Sequence, residues 1–314
     1  MTQASNTVTV RDSTLREGLD TPGVSFSPEQ KLRIAALLDE AGVPEVEIVA
    51  PSRVSKDLAF VPTLREAVPR LVTSGLLYSS GPNLRQEIRE ASAAIHRFDL
   101  LMPVSERRKP AARTEKIRVL LDGLDDALSC TSSVGVGFPH SFQVDVDFLL
   151  EIAERAVERG AQRVTVYDTN GSADPFVVHD VLARMRRSIQ AAVFFHGHND
   201  LGQATANALA AVRGGATGLD LTVNGLGDRA GNGSLEQVAI GLHLKGVPTG
   251  IVLQRLKPLC DHVETVSGVP VSKLSPVVGE FIVSHRSPSH LDHPDLFEAF
   301  NPDLVGATRR LERQ

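Results

Sequence analysis

Two histidines in the segment F-F-H-G-H-N-D are the residues whose type and spacing point most directly to chemistry. His196 and His198 are two positions apart and follow an apolar run typical of a β-strand. A strand repeats every two residues, so both imidazoles project to the same side. Two imidazoles that converge on one point suit a divalent metal ion. The alternative is a pair of surface or hydrogen-bonded histidines, which a bare H-x-H pattern also describes.

Two further segments place polar groups near strand ends. In R-D-S-T-L-R-E-G, Arg16 and Glu17 stand where the first predicted strand opens into its loop, and the Glu17 carboxylate is suited to complete a ligand set with the two histidines. The Gly-rich segment T-V-N-G-L-G-D-R-A-G-N-G-S follows the last predicted strand, allows close backbone approach to a ligand, and offers Asn232 as a fourth ligand oxygen. The alternative for the first segment, taken alone, is a solvated Arg–Glu pair in a turn. The alternative for the Gly-rich segment is an ordinary turn.

The elements that would position these residues alternate regularly along the chain. Ser27 is a candidate N-cap for a helix over 28–41, which Gly42 would end. We count eight predicted strands, each followed by a helical pattern. The strands are 8–14, 45–49, 76–79, 98–102, 134–137, 164–167, 193–195 and 219–223. Such alternation indicates an α/β fold with a parallel sheet, and eight units in about 245 residues favour a (β/α)8 TIM barrel. The alternative is a doubly wound open sheet, against which the lack of G-x-G-x-x-G after the first strand counts.

The alternation of strand and helix patterns ends after about Pro248. The range 251–263 is helical in pattern, whereas 284–294 is rich in His, Ser and Pro and has no periodicity. We therefore predict a TIM-barrel catalytic domain over 1–247 and a small C-terminal subdomain, or arm, over 248–314.

Composition narrows the possible partners and location. The net charge is −5, and Arg107-Arg108-Lys109 is the strongest basic cluster, so we expect no nucleic-acid partner. Cys130 and Cys260 form neither a disulfide framework nor a metal-type spacing, which fits a reducing cytoplasm. The start of the chain lacks the apolar core of a secretory signal, and no segment approaches the roughly 18 apolar residues of a membrane span. We therefore expect a cytoplasmic protein without membrane contact.

Together, the three motifs resemble the metallolyase-type TIM-barrel superfamily of isopropylmalate synthase, homocitrate synthase and hydroxymethylglutaryl-CoA lyase. D-S-T-L-R-E-G is similar to its first-strand signature, in the Arg-Glu form of homocitrate synthases. H-G-H-N-D-L-G-Q-A-T-A-N-A-L-A-A-V-R-G-G-A resembles the seventh-strand signature, and T-V-N-G-L-G-D-R-A-G-N the eighth. The likeness extends over essentially the whole barrel, with the three motifs in the family's order.

The resemblance implies roles for the matching positions. One divalent cation (Mg²⁺, Mn²⁺, Zn²⁺ or Co²⁺) would be the cofactor. Arg16 would stabilise a developing enolate or alkoxide, and Ser105 would help to shape the substrate pocket. Thr169, with Asn170 beside it, would hold the carboxylate of a 2-oxo acid. The implied metal ligands are Glu17, His196, His198 and Asn232.

The tail of the chain indicates which reaction the resemblance favours. S-H-R-S-P-S-H-L-D-H-P-D-L-F-E-A-F-N-P-D-L-V-G resembles the subdomain that follows the barrel in the synthases and not in the lyases. His290 matches the histidine proposed there as general base, His285 matches an earlier histidine, and Phe297 replaces a tyrosine. The implied reaction is a Claisen-type condensation of acetyl-CoA, or a related acyl-CoA, with a 2-oxo acid that releases CoA. A homodimer is the family expectation.

Several positions depart from the synthase pattern. They are Leu19, Asp20, Pro139, His140 and Gln143. With the metal ligands kept, these changes favour retained chemistry on an unusual acceptor. Arg108 or Lys109 would bind a second anionic group of that acceptor, or else would only cover a solvent-facing loop.

Two other functions remain open at this point. A metal-dependent carbon–carbon lyase or aldolase on the same scaffold would dispense with His290. A barrel that only binds a ligand or partner is a third possibility, against which the complete set of Arg16, Glu17, His196 and His198 weighs.

Overall fold

Eight parallel strands form a closed barrel, so the fold prediction is confirmed. The structure is a computed structural model that describes residues 7–105 and 113–312. The strands follow one another around the barrel in chain order, and β1 closes it against β8, with Thr9 opposite Gly218 and Asp12 opposite Leu221. The strands are β1 Thr9–Asp12, β2 Glu45–Val49, β3 Val72–Tyr78, β4 Arg97–Leu101, β5 Val134–Phe138, β6 Arg163–Asp168, β7 Ala192–Gly197 and β8 Gly218–Leu221.

Helices surround the barrel on the outside. They are α1 Pro28–Glu40, α2 Val54–Leu58, α3 Val61–Ala67, α4 Leu84–Ala94, α5 Arg113–Leu128, α6 Val146–Arg159, α7 Pro175–Ser188, α8 Ala204–Arg213, α9 Leu235–His243 and α10 Leu256–Ser267. Ser27 caps α1 as predicted, because its hydroxyl accepts from the Gln30 N–H while the Gln30 side chain accepts from the Ser27 N–H. Among the helices of 7–105 and 113–312, none has the length and apolar character of a membrane span.

Strand β3 begins earlier than the sequence predicts, at Val72 and not at position 76. Its first half contains Thr73, Ser74 and Gly75, which give no apolar signal although Thr73 and Ser74 are fully buried. A Cβ at position 75 would lie 2.4 Å from the Cβ of Val49 on β2. Close approach of neighbouring strands, and not hydrophobicity, therefore selects the small residue here.

The interior of the barrel contains a buried network of ion pairs, which the sequence analysis did not anticipate. Arg11 donates to Asp220 at 2.7 Å and to Asp99 at 2.9 Å, and all three side chains are inaccessible to solvent. Arg163 donates to Glu45 and to Asp99, at 3.0 Å each. Removing one partner of such a network leaves an uncompensated buried charge, so each of these charged residues requires the presence of the others.

The C-terminal region begins against the barrel and then extends into an irregular arm. Helix α10 packs on α1, and its Leu256, Leu259 and Val263 belong to the same hydrophobic core as the barrel. Beyond it the arm contains the short helix α11 Pro288–Asp292 and a small parallel sheet of β9 Ser284–His285 and β10 Arg310–Leu311. The domain boundary at 247/248 stays a prediction.

Candidate metal centre and active site

Glu17, His196 and His198 come together at the C-terminal mouth of the barrel. One potential ligand atom from each lies within 4.8 Å of the others, and all three residues are buried. Glu17 begins the turn after β1. His196 lies within β7, and His198 is the first residue after that strand. The imidazole Nε2 atoms lie 3.9 Å (His196) and 3.7 Å (His198) from the Glu17 carboxylate. Two imidazoles and one carboxylate are a donor set that suits a divalent cation.

The electrostatics favour the metal-binding forms of two of these side chains. Burial, followed by repulsion from His196, lowers the pKa of His198 to about 4, so its imidazole is neutral. Burial acts to raise the pKa of Glu17, but the positive Arg16 and the two histidines outweigh it and hold that pKa at about 2. A neutral imidazole and an ionised carboxylate are the forms that bind metal, so the residues fit the cation that the sequence implies.

Asn232 lies next to this cluster, in line with its predicted role. It forms a bridge with His198, and its amide nitrogen is 3.3 Å from His196 Nε2. Its oxygen accepts the Gly233 N–H at 2.9 Å, so a half-turn of the amide would be needed to direct that oxygen towards a cation. The ligand role of Asn232 stays a prediction.

Arg16 contacts the cluster through an ion pair with Glu17. Its Nε donates to Glu47 at 2.6 Å, and Glu47 in turn accepts from the Ser13 hydroxyl at 3.0 Å. Burial acts to lower the pKa of Arg16, but the charges of Glu47 and Glu17 keep it above its usual value. Arg16 is thus a permanent cation beside the candidate metal ligands. Glu47 belongs to none of the three sequence motifs and is one of two alternating glutamates in β2.

Asp220 stands behind His196, since β7 and β8 pair these two residues in register. Its carboxylate is 3.4 Å from His196 Nδ1. Burial acts to raise the pKa of Asp220, but the contact with Arg11 outweighs it and keeps the carboxylate ionised. A carboxylate at the second ring nitrogen orients a ligating imidazole. The sequence analysis did not single out Asp220 either.

The predicted carboxylate-binding residues lie in the same cleft. Thr169 Oγ1 accepts the His140 N–H at 2.8 Å, which leaves its hydroxyl hydrogen to donate to a ligand. His140 holds a left-handed backbone conformation, with φ of 67°, that non-glycine residues seldom adopt. Arg229 donates to the Thr169 carbonyl at 2.8 Å and pairs with Asp200. Side chains from the loops after β5, β6 and β8 therefore meet on this side of the mouth.

The cleft has a volume of about 930 Å³ and opens at the mouth. Ser105 and Asn170 line it, and their roles in substrate binding stay predictions, whereas Arg108 and Lys109 lie outside the described residues. The lining also includes four of the five departures from the synthase pattern: Asp20, Pro139, His140 and Gln143. The fifth, Leu19, packs against the hydrophobic core.

His290 lies in the arm and not in the cleft of its own chain. Its ring stacks on Phe297 at 3.9 Å, and its Nδ1 is 3.4 Å from His285 Nδ1. His285 is held in turn by Glu298 at 2.9 Å. Within the ranges 7–105 and 113–312, every residue that lines the cleft comes from the barrel. The role of His290 as a base stays a prediction.

Fold and site together define a (β/α)8 barrel with a candidate metal centre at its mouth. Residues 7–263 match the HMGL-like family, and the chain belongs to this family.

Two curated relatives align along nearly the whole chain. One is homocitrate synthase 1 of Nostoc sp., 36% identical over 98% of this chain and 83% of its own length. Another is 2-isopropylmalate synthase 2 of Caldanaerobacter subterraneus, 31% identical over 97% of this chain and 81% of its own length.

Solved structures share the fold at lower identity. Hydroxymethylglutaryl-CoA lyase from Pseudomonas aeruginosa superimposes with a TM-score of 0.73 at 18% identity, covering 85% of this chain and 95% of its own. The carboxyl transferase domain of Rhizobium etli pyruvate carboxylase gives 0.72, also at 18% identity, over 84% of this chain and 47% of that one. At such identities the likeness supports the barrel fold alone.

Proposed function

We propose that this protein condenses acetyl-CoA, or a related acyl-CoA, with a 2-oxo acid in a metal-dependent Claisen-type reaction that releases CoA. The observation that carries this proposal is the cluster of Glu17, His196 and His198 with Arg16 in direct contact, inside a cleft large enough for a small oxo acid. The synthase relatives support the same chemistry.

The reaction joins two carbon atoms and then cleaves a thioester. A base removes a proton from the thioester methyl group, and that carbon attacks the keto carbon of the oxo acid. The keto oxygen becomes an alkoxide and takes up a proton, and water then hydrolyses the thioester to a carboxylate and the CoA thiol. A divalent cation at the Glu17 cluster would supply Lewis-acid polarisation of the ketone.

The remaining roles in the reaction are proposed for side chains of this protein. Arg16 is oriented by Glu47 and is the cation placed to stabilise negative charge on the enolate or alkoxide oxygen. Thr169 is placed to donate to the carboxylate of the oxo acid. His290 is proposed as the base, acting in the cleft of a second subunit.

The proposed homodimer is supported by the surface of the arm. Leu274, Phe281, Leu296 and Phe297 are large apolar side chains that are exposed in the single chain. Contact with a second copy would cover such a surface and would bring an arm histidine to the neighbouring mouth. We also propose a cytoplasmic location, which the two free cysteines support.

The test is an assay of thiol release from acetyl-CoA against a panel of 2-oxo acids, with and without a chelator. Release that depends on both an oxo acid and a metal is the expected result. Full activity in the rigorously metal-stripped protein would contradict the metal-dependent reaction. Cleavage of a hydroxyacyl-CoA, with no condensation, would favour the lyase alternative.

The acceptor is proposed to contain a second anionic group. Within the described ranges, the cleft arginines Arg16 and Arg229 are already engaged by carboxylates, so this proposal depends on Arg108 or Lys109. The measurement compares kcat/KM for 2-oxoisovalerate with the values for oxaloacetate, 2-oxoglutarate and phosphonopyruvate. A higher kcat/KM for 2-oxoisovalerate, the branched aliphatic acid, would indicate that Arg108 and Lys109 are only surface charges. It would contradict the proposal.

A further inference from the structure

Tyr167, at the C-terminal half of β6, lies inside the cleft directly beside the candidate metal centre. Its side chain is only 5% exposed, and its ring centroid is 4.7 Å from that of His196, with the two planes tilted by 33°. The ring packs with Leu76 and Leu101 in a small apolar cluster separate from the main core, and all three residues line the cleft. A phenol ring therefore forms part of the wall where a ligand of the metal centre would lie.

The sequence makes space for this ring on the neighbouring strand. Position 137 of β5 is a glycine, and a Cβ there would lie 2.8 Å from Cε2 of Tyr167 and 2.6 Å from Cδ2 of Leu101. Both distances are shorter than side chains tolerate. Close packing over Gly137 and against His196 thus fixes the position of the phenol.

The hydroxyl group of Tyr167 is buried and has no hydrogen-bond partner among residues 7–105 and 113–312. A buried polar group of this kind costs stability unless a ligand or a water satisfies it. A phenol ordinarily keeps its proton at neutral pH and is then a hydrogen-bond donor. The cleft therefore contains a fixed, neutral donor next to the metal ligands.

We propose that Tyr167 is a substrate-binding residue whose hydroxyl donates a hydrogen bond to an oxygen of the bound 2-oxo acid. The inference rests on the proposed function, which brings an oxo acid into the cleft. A 2-oxo acid offers carboxylate and ketone oxygens, which are acceptors only, and so complements a donor that has no acceptor among residues 7–105 and 113–312. The buried position would make this hydrogen bond a substantial part of the affinity for the acceptor.

The test is Tyr167→Phe, which removes one oxygen atom and keeps the ring. The metal-loaded protein is titrated calorimetrically with whichever of the four acids named above gives the highest kcat/KM. We expect Kd to rise about 10–100-fold, as for loss of a hydrogen bond to a charged group, while the affinity for the metal stays within about threefold. Ser129→Ala is the control, because it also removes one hydroxyl oxygen, at an exposed residue that does not line the cleft. We expect the control to keep its Kd.

A second measurement separates this role from a structural one. The metal-free Tyr167→Phe protein should unfold at the same temperature as the unaltered protein or at a higher one, because the deleted hydroxyl has no partner to lose within the described part of the chain. A clear fall in that temperature, or an unchanged Kd in a protein that does turn over 2-oxo acids, would overturn the role of Tyr167 alone. If the unaltered protein neither binds any of the four acids nor releases CoA with them, the proposed function itself fails, and this inference fails with it.

Discussion

At the scale of single residues, the two histidines of β7 and its loop combine burial with a position at the mouth of the barrel. His196→Ala and His198→Ala should each abolish release of CoA and reduce the bound metal to background. The barrel should stay folded, because neither imidazole belongs to the hydrophobic core. Metal content, thiol release and circular dichroism measured on the same samples decide the matter. Loss of the fold, or activity near that of the unaltered protein, would contradict this assignment.

Asp220 gives a second prediction at this scale, because it contacts both His196 and Arg11. Asp220→Asn should weaken metal binding about 10–100-fold, as for other groups that orient a ligating histidine. The same change also disturbs a buried ion pair and should lower the free energy of unfolding.

Asp99→Asn separates the two effects. Asp99 shares the partner Arg11 and, among the described residues, makes no hydrogen bond or ion pair with His196. The Asp99→Asn change should therefore lower the free energy of unfolding, while the affinity for the metal stays within about threefold of that of the unaltered protein. Equal losses of metal affinity in both variants would show that Asp220 acts through the barrel interior and not through His196.

The contrast between these residues explains what the sequence could reveal of the site. Glu17, His196 and His198 stand in short, recognisable motifs, and the structure brings them together. Asp220 is a lone acidic residue in the apolar strand β8, and Glu47 alternates with Glu45 along β2. Their partners are remote in sequence, since Arg11 lies 209 positions from Asp220. Alternation along each strand predicts that such residues point inward, but only the closed barrel determines which charges meet.

At the scale of elements, β5 is adapted to its neighbours by two glycines. Gly137→Ala should lower the free energy of unfolding by about 1–3 kcal/mol, since the new Cβ would press on Leu101 and Tyr167. It should also weaken binding of the 2-oxo acid by displacing the phenol. Urea unfolding and calorimetric titration measure the two effects.

Gly135→Ala is the matched control on the same strand. Its Cβ would lie 2.2 Å from Oδ1 of Asp99 and would not approach the cleft residues. It should destabilise the barrel and leave the affinity for the acid unchanged. A parallel loss of affinity in both variants would assign the effect to general loosening of β5.

All eight strands were predictable because a parallel barrel buries apolar runs bounded by polar loops. The first and last residues of the elements were less predictable. The start of β3 contains buried Thr73 and Ser74, and the short helix α2 Val54–Leu58 has too few residues to show a helical period. In the arm, α11 Pro288–Asp292 lies where the sequence shows no periodicity. Its local helix signals are Ser287 at the N-cap and Pro288 at the first position.

At the scale of the whole molecule, the candidate base and the candidate metal centre belong to different parts of one chain. His290 is held by stacking on Phe297 within the arm, and Phe297 and Leu296 remain exposed. An arm that serves the cleft of its own chain would have to move, because no arm residue lines that cleft among the described residues. An arm that serves a second subunit could keep them and would cover its apolar side chains in doing so.

Mixed dimers test this arrangement. The Glu17→Ala subunit has a defective cleft and an intact arm, whereas the His290→Ala subunit has the reverse. If the arm acts across the dimer, a heterodimer of the two contains one complete cleft, assembled from the intact halves of each chain. Equal co-expression should then give about a quarter of the unaltered activity, since about half of the dimers are mixed and each has one working site of two. Purification through two different affinity tags should raise this to about half.

The matched control combines Glu17→Ala with His198→Ala, two changes in the cleft itself. No heterodimer of these variants contains a complete cleft, so thiol release should stay at background. Each single variant should also be weak alone: Glu17→Ala and His198→Ala lose a proposed metal ligand, and loss of a general base in His290→Ala typically costs about 10²–10⁴-fold in turnover. If the Glu17→Ala and His290→Ala mixture is no more active than the sum of its homodimers, although the mixed dimers are isolated intact, His290 does not act across the dimer. A His290→Ala homodimer with nearly full activity would instead show that His290 is not the base, and would favour the lyase alternative or another base in the cleft.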